Sequence, residues 1–174
     1  MLAIQHFGAQ RYLWAGVAAV GNDPGKGCFR WLLTGGEENP EGWRAYHSGW
    51  DAGGCRALAF QGSEVLAGSL RFGVLRLDIA EREPKWEAPN INCKLPLRDR
   101  HSLQPVDVVA TDSSGERLLA AGIAGVYRSR DHGKNYEHVS NSEFPELVTL
   151  PETWLFCSGE HDINVVSEDE KQRD

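Results

Sequence analysis

One stretch of the sequence decides the fold, and it reads Gly125-Val126-Tyr127-Arg128-Ser129-Arg130-Asp131-His132-Gly133-Lys134-Asn135-Tyr136. Residues 125–128 alternate in character and include a β-branched and an aromatic residue, which is typical of a half-buried β-strand. Ser129 and Asp131 carry oxygens able to bind the backbone amides of a tight turn, and Gly133 is free to adopt a positive φ. The stretch therefore predicts a strand, a polar turn and, at Tyr136, the beginning of another strand.

The spacing Ser-x-Asp-x-Gly-x-x-aromatic resembles the Asp-box, or BNR repeat, of β-propellers such as sialidases, sortilin-type receptors and photosystem assembly factors. The matching positions are Ser129, Asp131, Gly133 and Tyr136. In those families the box stabilises a turn and lies away from the functional face. The resemblance therefore implies a propeller fold and a structural role for these four residues.

Weaker repeats of the same pattern occur upstream. A Gly-x-(aromatic or Leu)-Arg sequence is found at 27–30, 73–76 and 125–128, so its glycines are 46 and 52 residues apart. An apolar run with small central residues precedes each copy, and an aromatic residue follows each one, at Trp43, Trp86 and Tyr136. Such a period fits one four-stranded propeller blade with a variable loop, and small residues suit strands where neighbouring blades converge.

A fourth copy begins at Trp154 and continues to Ser167, before a charged tail at 168–174 that we expect to be solvated. The sequence thus predicts a single all-β domain over 1–167, a β-propeller of four-stranded antiparallel blades. Its repeats are expected at about 1–50, 55–89, 106–140 and 146–167.

The number of repeats raises the question of how the ring is completed. Propellers typically carry about four to eight blades, and an open arc would leave blade faces exposed. Three arrangements are open: a cramped four-bladed ring, two chains that pair their arcs into a larger ring, or further blades on another polypeptide. We expect a partner chain, because the end of a repeat array needs a cap.

Composition narrows the class of protein. The chain has 174 residues, of which 41% are apolar and 25% charged, as in an ordinary globular domain. A formal charge of −7 argues against a nucleic-acid-binding surface. Its first residues lack the pattern of a signal peptide and no apolar run is long enough to span a bilayer, which predicts a cytoplasmic protein without membrane insertion.

The cysteines and glycine-rich segments indicate no cofactor. Cys28, Cys55, Cys93 and Cys157 have spacings that fit no zinc or redox motif, so we expect free buried thiols; a disulfide stays open if the protein is exported. The segment 25–27 lacks the remainder of a phosphate-binding loop. No metal or cofactor is predicted.

In the propeller families that this sequence resembles, the ligand face is formed by two kinds of loop. One kind joins the second and third strands of a blade, and the other joins successive blades. The connection 89–105 is long enough to be functional or poorly ordered. The candidate binding face comprises Trp50, Asp51, Arg98, Asp99, Arg100, His101 and His161. Trp50 could be an exposed anchor, since tryptophan and arginine dominate interface hot spots. The alternatives are a solvated charge cluster at 98–100 and a partly buried Trp50.

A sialidase-like activity would require three arginines, a tyrosine nucleophile with a glutamate, and an acidic aspartate. Arg30, Arg76 and Arg128 occupy one repeat position, which favours a structural role, and no catalytic residue is predicted. We therefore expect a non-enzymatic interaction scaffold with a protein partner or a second copy. The alternatives are a carbohydrate-binding or degenerate glycosidase-like propeller and a component of a phage-tail-like or other multi-protein machine.

Overall fold

The computed structural model describes residues 1–20, 23–33, 42–112 and 114–140, with the backbone of three further strands at 146–150, 153–158 and 162–167. All regular secondary structure in these residues is β-strand, so the all-β prediction is confirmed. No described residue belongs to a helix that is long and apolar enough to cross a membrane.

The described strands form four antiparallel sheets that follow one another along the chain. Sheet 1 contains β1 (Leu2–Phe7), β2 (Gln10–Gly16), β3 (Cys28–Leu33) and β4 (Arg44–Tyr46). Sheet 2 contains β5 (Cys55–Gln61), β6 (Glu64–Ser69) and β7 (Val74–Asp78). Sheet 3 contains β8 (Val108–Thr111), β9 (Leu118–Gly122), β10 (Gly125–Ser129) and β11 (Glu137–Ser140). Sheet 4 contains β12 (Glu146–Leu150), β13 (Thr153–Ser158) and β14 (Asp162–Ser167).

Sheet 2 lacks the predicted fourth strand. In its place a single bridge joins Arg76 and Glu87, whose backbone groups exchange hydrogen bonds of 2.9 and 2.8 Å. Pro84 and Pro89 flank the bridge, and proline has no amide hydrogen to continue a ladder. The prediction of four strands per sheet is therefore wrong for sheet 2, and sheet 4 has three strands among the described residues.

Neighbouring sheets meet along their first strands. Strand β5 contacts both β1 and β8, and β8 also contacts β12. Each of these strands is the first of its sheet, so the four sheets lie in chain order along a line of first strands. The described contacts join consecutive sheets, and a closed ring is not shown.

The core lies between the sheets rather than within one layer. Sheets 1 and 2 enclose a cluster that includes Trp14, Tyr46, Leu58, Leu75 and Trp86. A second cluster lies between sheets 2 and 3, and its members include Leu66, Val74, Leu95, Leu103 and Tyr136. The fold is therefore stabilised by apolar area that is buried only when two sheets lie face to face.

Two glycines lie where backbone segments approach each other closely. A Cβ added to Gly68 would lie 2.6 Å from the carbonyl oxygen of Val106, and one added to Gly122 would lie 2.3 Å from that of Pro105. Both glycines are on second strands, and both oxygens belong to the segment that leads into β8, the first strand of sheet 3. The approach at Gly68 therefore joins sheet 2 to the start of sheet 3, whereas the approach at Gly122 lies within sheet 3.

Gln5 links sheet 1 to sheet 2 through a buried amide. Its side chain is fully buried, its Oε1 accepts a 2.9 Å hydrogen bond from Trp14 Nε1, and its Nε2 donates one of 2.8 Å to the carbonyl oxygen of Gly62. Gly62 lies in the turn between β5 and β6. Because buried polar groups are costly when unpaired, the three groups depend on one another.

We predict that Gln5→Leu lowers the free energy of unfolding by about 2–3 kcal/mol, since it leaves the Trp14 indole and the Gly62 carbonyl without their partner. Urea denaturation measures the change. In a double-mutant cycle with Trp14→Phe, the combined loss should be smaller than the sum of the single losses. Strictly additive losses would contradict a direct hydrogen bond.

Candidate functional site

The turn after β10 is closed by a side-chain hydrogen-bond network. Ser129 is 1% exposed, and its Oγ donates to Asp131 Oδ1 at 2.8 Å while accepting from the amide of Gly133 at 2.9 Å. The same carboxylate accepts from the amide and from the side-chain nitrogen of Asn135, both at 2.8 Å. These bonds are of the kind expected for Ser and Asp in a tight turn.

The backbone of this turn requires a glycine. His132 and Gly133 have φ values of 58° and 76°, so two successive residues lie in the left-handed region. A Cβ at Gly133 would lie 2.9 Å from both Leu118 Cδ1 and the Tyr136 hydroxyl oxygen. Tyr136 is 2% exposed and packs over the turn.

The turn also forms hydrogen bonds with three neighbouring segments. The amide of His132 donates to the Glu116 carbonyl oxygen at 3.0 Å, and the amide of Tyr136 donates to that of Cys93 at 2.8 Å. The guanidinium of Arg76 in sheet 2 donates to the carbonyl oxygen of His132. Because strand β10 begins beside the β9–β10 turn and ends here, the network lies at the opposite end of sheet 3 from that turn. Its position is that of a structural junction.

The three repeated arginines are engaged inside or beside their own sheets. The Arg76 Nη2 atom lies 2.9 Å from Glu64 Oε2, and Arg128 Nε lies 2.8 Å from Glu137 Oε1. The guanidinium carbon of Arg30 lies 4.2 Å from the centre of the Tyr12 ring. Each contact suits a structural role at one repeat position rather than a shared carboxylate clamp.

Part of the long connection 89–105 packs between sheets 2 and 3. Cys93, Leu95 and Leu103 are buried in the second core cluster. Leu97 and Leu103 form a bridge, and the amide of Leu103 donates to the carbonyl oxygen of Arg71 at 2.6 Å. These residues anchor the connection in the core, and its longest exposed run is the tip at 97–101.

Asp99 organises that tip. Its Oδ2 accepts a 2.6 Å hydrogen bond from the Ser102 hydroxyl, and its Oδ1 accepts one of 2.8 Å from the amide of His101. The Ser102 and His101 donors hold the pKa of the Asp99 carboxyl below its ordinary value. Arg98, Arg100 and His101 are exposed, so the tip presents basic side chains around a carboxylate that is bonded internally.

Trp50 is buried, and the expectation of an exposed anchor is wrong. Its side chain is only 7% exposed, and its Nε1 donates to the carbonyl oxygen of Gly53 at 2.8 Å. The ring makes an edge contact with Trp86 at a centroid distance of 5.1 Å. The local carbonyl satisfies the indole, which allows the whole ring to enter the core. Asp51 on the same connection is exposed, and His161 lies outside the described residues.

The remaining candidates lie on two connections at one end of the sheets. Asp51 precedes β5, whereas the tip at 97–101 precedes β8. The same end contains a cavity of about 330 Å³, which we call the Arg56 cavity, lined by Met1, Ala18, Ala19, Gly54, Cys55, Arg56, Leu70 and Asp107. Arg56 and Asp107 form an ion pair there. This pair was not among the candidates predicted from the sequence, although both residues lie where a first strand begins.

One face of sheet 1 carries a group of exposed apolar side chains among the described residues, with His6 and Arg11 at one end. Strand register places Ile4 opposite Leu13, and Leu13 opposite Trp31, so these side chains share a face. We call it the outer face; it also carries Leu2 and Trp43. Leu2, Ile4 and Trp43 are 67%, 55% and 46% exposed, and the Trp43 ring lies 5.5 Å from the Trp31 ring.

The opposite face of the same sheet is covered by sheet 2. It carries Gln5, Tyr12 and Trp14, which are all buried. The sequence offered a signal for the outer face, since Leu2 and Ile4 alternate with residues of the buried face along β1. Alternation could not show which face lacked a neighbour.

Comparisons with known proteins add no assignment. No protein-family model matches this chain, and no curated protein matches it. In the part of the chain that the structure describes, no group of three or more His, Cys, Asp or Glu side chains is arranged to hold a metal ion. A function for this chain therefore has to be inferred from the geometry of the described residues.

Asp131 should make stability depend on pH. Its pKa is lowered from an ordinary 3.8 to about 2, mainly by the side-chain hydrogen bond from Asn135 and further by the Asn135 amide and Ser129. A depressed folded-state pKa contributes stability that is present above about pH 4 and is lost as the pH falls towards 2. We predict a loss of about 1 kcal/mol over that window, after allowing for solvent screening.

Urea denaturation at a series of pH values measures this effect. Asp131→Asn should remove this part of the acid dependence, whereas Asp51→Asn, at an exposed aspartate, serves as the control and should retain it. An unchanged acid dependence in Asp131→Asn would show that the carboxylate is not held by these hydrogen bonds.

Proposed function

We propose that this chain is a β-propeller-type interaction scaffold without enzymatic activity, and that a second chain completes its ring by binding the outer face of sheet 1. The observation that carries the proposal is the exposed apolar outer face. Its partner would contribute a sheet, as sheet 2 does on the opposite side.

The composition of the outer face supports an interface. Contiguous apolar patches are uncommon on the surfaces of soluble monomers and mark interaction sites. Leu2 and Ile4 retain more than half of their surface in contact with solvent, and the rings of Trp31 and Trp43 make a tilted contact. Tryptophan is among the residues that contribute most to interface energy.

The arrangement of the sheets supports a sheet as the occupant. Sheet 2 lies between sheets 1 and 3, and its two faces contribute to two different core clusters. Sheet 1 contributes to only the first of these clusters. A second sheet packed on its outer face would give sheet 1 the same environment that sheet 2 has.

The alternatives receive less support from the geometry. Carbohydrate binding would use the candidate binding face, and its one aromatic member, Trp50, is buried. A sialidase-like site relied on converging arginines, and Arg76 and Arg128 are paired with glutamates. We therefore favour the scaffold.

We predict that the purified protein self-associates. Ile4→Glu should raise the dissociation constant of this association roughly tenfold or more, because it places a carboxylate in an apolar contact. Sedimentation velocity over a range of protein concentrations measures the mass. Ile123→Glu is the matched control, since Ile123 is 53% exposed against 55% for Ile4 and lies in the β9–β10 turn.

Two other results would be informative. The protein could be a monomer whose binding of an apolar dye is lost in Ile4→Glu. The outer face would then be exposed in the monomer, and the partner sheet would belong to a different protein. A monomer in which Ile4 and Leu2 are shielded by the chain's own residues, with Ile4→Glu no different from Ile123→Glu, would contradict the proposal.

A further inference from the structure

Two cysteines from neighbouring sheets are in contact. Cys28 is the first residue of β3 and Cys55 is the first residue of β5, and their sulfur atoms are 3.5 Å apart. They are 0% and 5% exposed. A Cβ added to Gly16 would lie 2.6 Å from Cys55 Sγ, so the absence of a side chain there leaves room for the sulfur.

The Arg56 cavity reaches one member of this pair. Cys55 lines the cavity together with Arg56 and Asp107, whereas Cys28 is not among the lining residues. A volume of about 330 Å³ is sufficient for several water-sized molecules. Cys93, by contrast, is buried in the core between sheets 2 and 3. A small oxidant that enters the cavity therefore meets Cys55 first.

We propose that Cys28 and Cys55 are a redox modification site, which a hydroperoxide such as hydrogen peroxide converts to a disulfide joining sheet 1 to sheet 2. This inference goes beyond the proposed scaffold function and does not depend on it. It concerns a contact inside one chain.

Oxidation takes place in two steps. The Cys55 sulfur, as thiolate, attacks one peroxide oxygen, the O–O bond breaks, and the departing hydroxide takes a proton to give water and a Cys55 sulfenic acid. The Cys28 sulfur then loses its proton and attacks the Cys55 sulfur, forming the S–S bond and releasing the second water. The two thiols are oxidised by two electrons, and one hydroperoxide is reduced.

The contact geometry assigns the order of attack. Cys28 Sγ donates its hydrogen bond to Cys55 Sγ, and this bond together with burial raises the pKa of the Cys28 thiol. Because Cys55 borders the cavity and Cys28 does not, Cys55 attacks the oxidant, and Cys28 reacts second with the sulfenic acid. Since the thiolate is the reactive form, oxidation should be faster at alkaline pH.

The disulfide would stabilise the contact between the two sheets. It would close a loop from residue 28 to residue 55, which constrains the unfolded chain. We expect the oxidised protein to melt roughly 5–10 °C higher than the reduced protein. Addition of a dithiol should reverse the shift, because thiol–disulfide exchange breaks the bond.

The test is oxidation of the reduced full chain with hydrogen peroxide, followed by non-reducing peptide mapping and a thermal melt. The expected product is a peptide in which Cys28 is joined to Cys55, together with a raised Tm that a dithiol reverses. Cys93→Ser should give the same product and the same shift. Cys28→Ser should give neither, and its Cys55 should accumulate the sulfenic acid, which a dimedone label detects.

Three outcomes would overturn the proposal. One is a protein that keeps Cys28 and Cys55 reduced after prolonged oxidation. Another is a cross-link that joins other cysteines or two chains instead of this pair. The third is a Cys28–Cys55 disulfide that leaves Tm unchanged or lower. Peptide mapping and the thermal melt of the unsubstituted protein distinguish these outcomes even if a cysteine variant fails to fold.

Discussion

Burial of apolar area between successive sheets is the constraint on which the structure depends. An isolated three- or four-stranded sheet from this chain has two faces and little core of its own. Sheet 2 buries both of its faces against neighbouring sheets. Leu58 and Leu75 belong to one core cluster, and Leu66 and Val74 belong to the other. The buried amide of Gln5 constrains how the two sheets pack, because it forms hydrogen bonds with Trp14 in sheet 1 and Gly62 in sheet 2. A sheet with one uncovered apolar face is incomplete under this constraint, and sheet 1 is such a sheet.

Much of the fold could be predicted because each repeat carries its own local signals. Alternation located the strands, and the Ser129–Asp131–Gly133 spacing located the turn that follows β10. The absent fourth strand of sheet 2 was harder to predict, since the effect of Pro84 and Pro89 depends on which amides the ladder would need. Whether Trp50 is exposed or buried stayed open in the sequence for a related reason. Only the folded turn brings the Gly53 carbonyl to its indole, and this hydrogen bond permits burial.

The candidate site was less predictable because it depends on neighbours that are distant in sequence. Loop length singled out the connection 89–105, and the tip at 97–101 is exposed, but Cys93, Leu95 and Leu103 of the same loop are core residues. The outer face of sheet 1 has the same alternating pattern as its buried face, so the pattern alone could not distinguish them. The contact between Cys28 and Cys55 likewise arises from the packing of sheet 1 on sheet 2. A spacing of 27 residues matches no motif.

The central claim is that the outer face is an interface with another chain, and hydroxyl-radical footprinting tests it most directly. Oxidation of Trp43 and Trp31 would be followed as the protein concentration is raised, or as a candidate partner is added, with the exposed Ile123 as the reference. The account predicts that both tryptophans become protected while Ile123 continues to react. Tryptophans that react equally under all these conditions, or that are already protected in a dilute monomer, would contradict it.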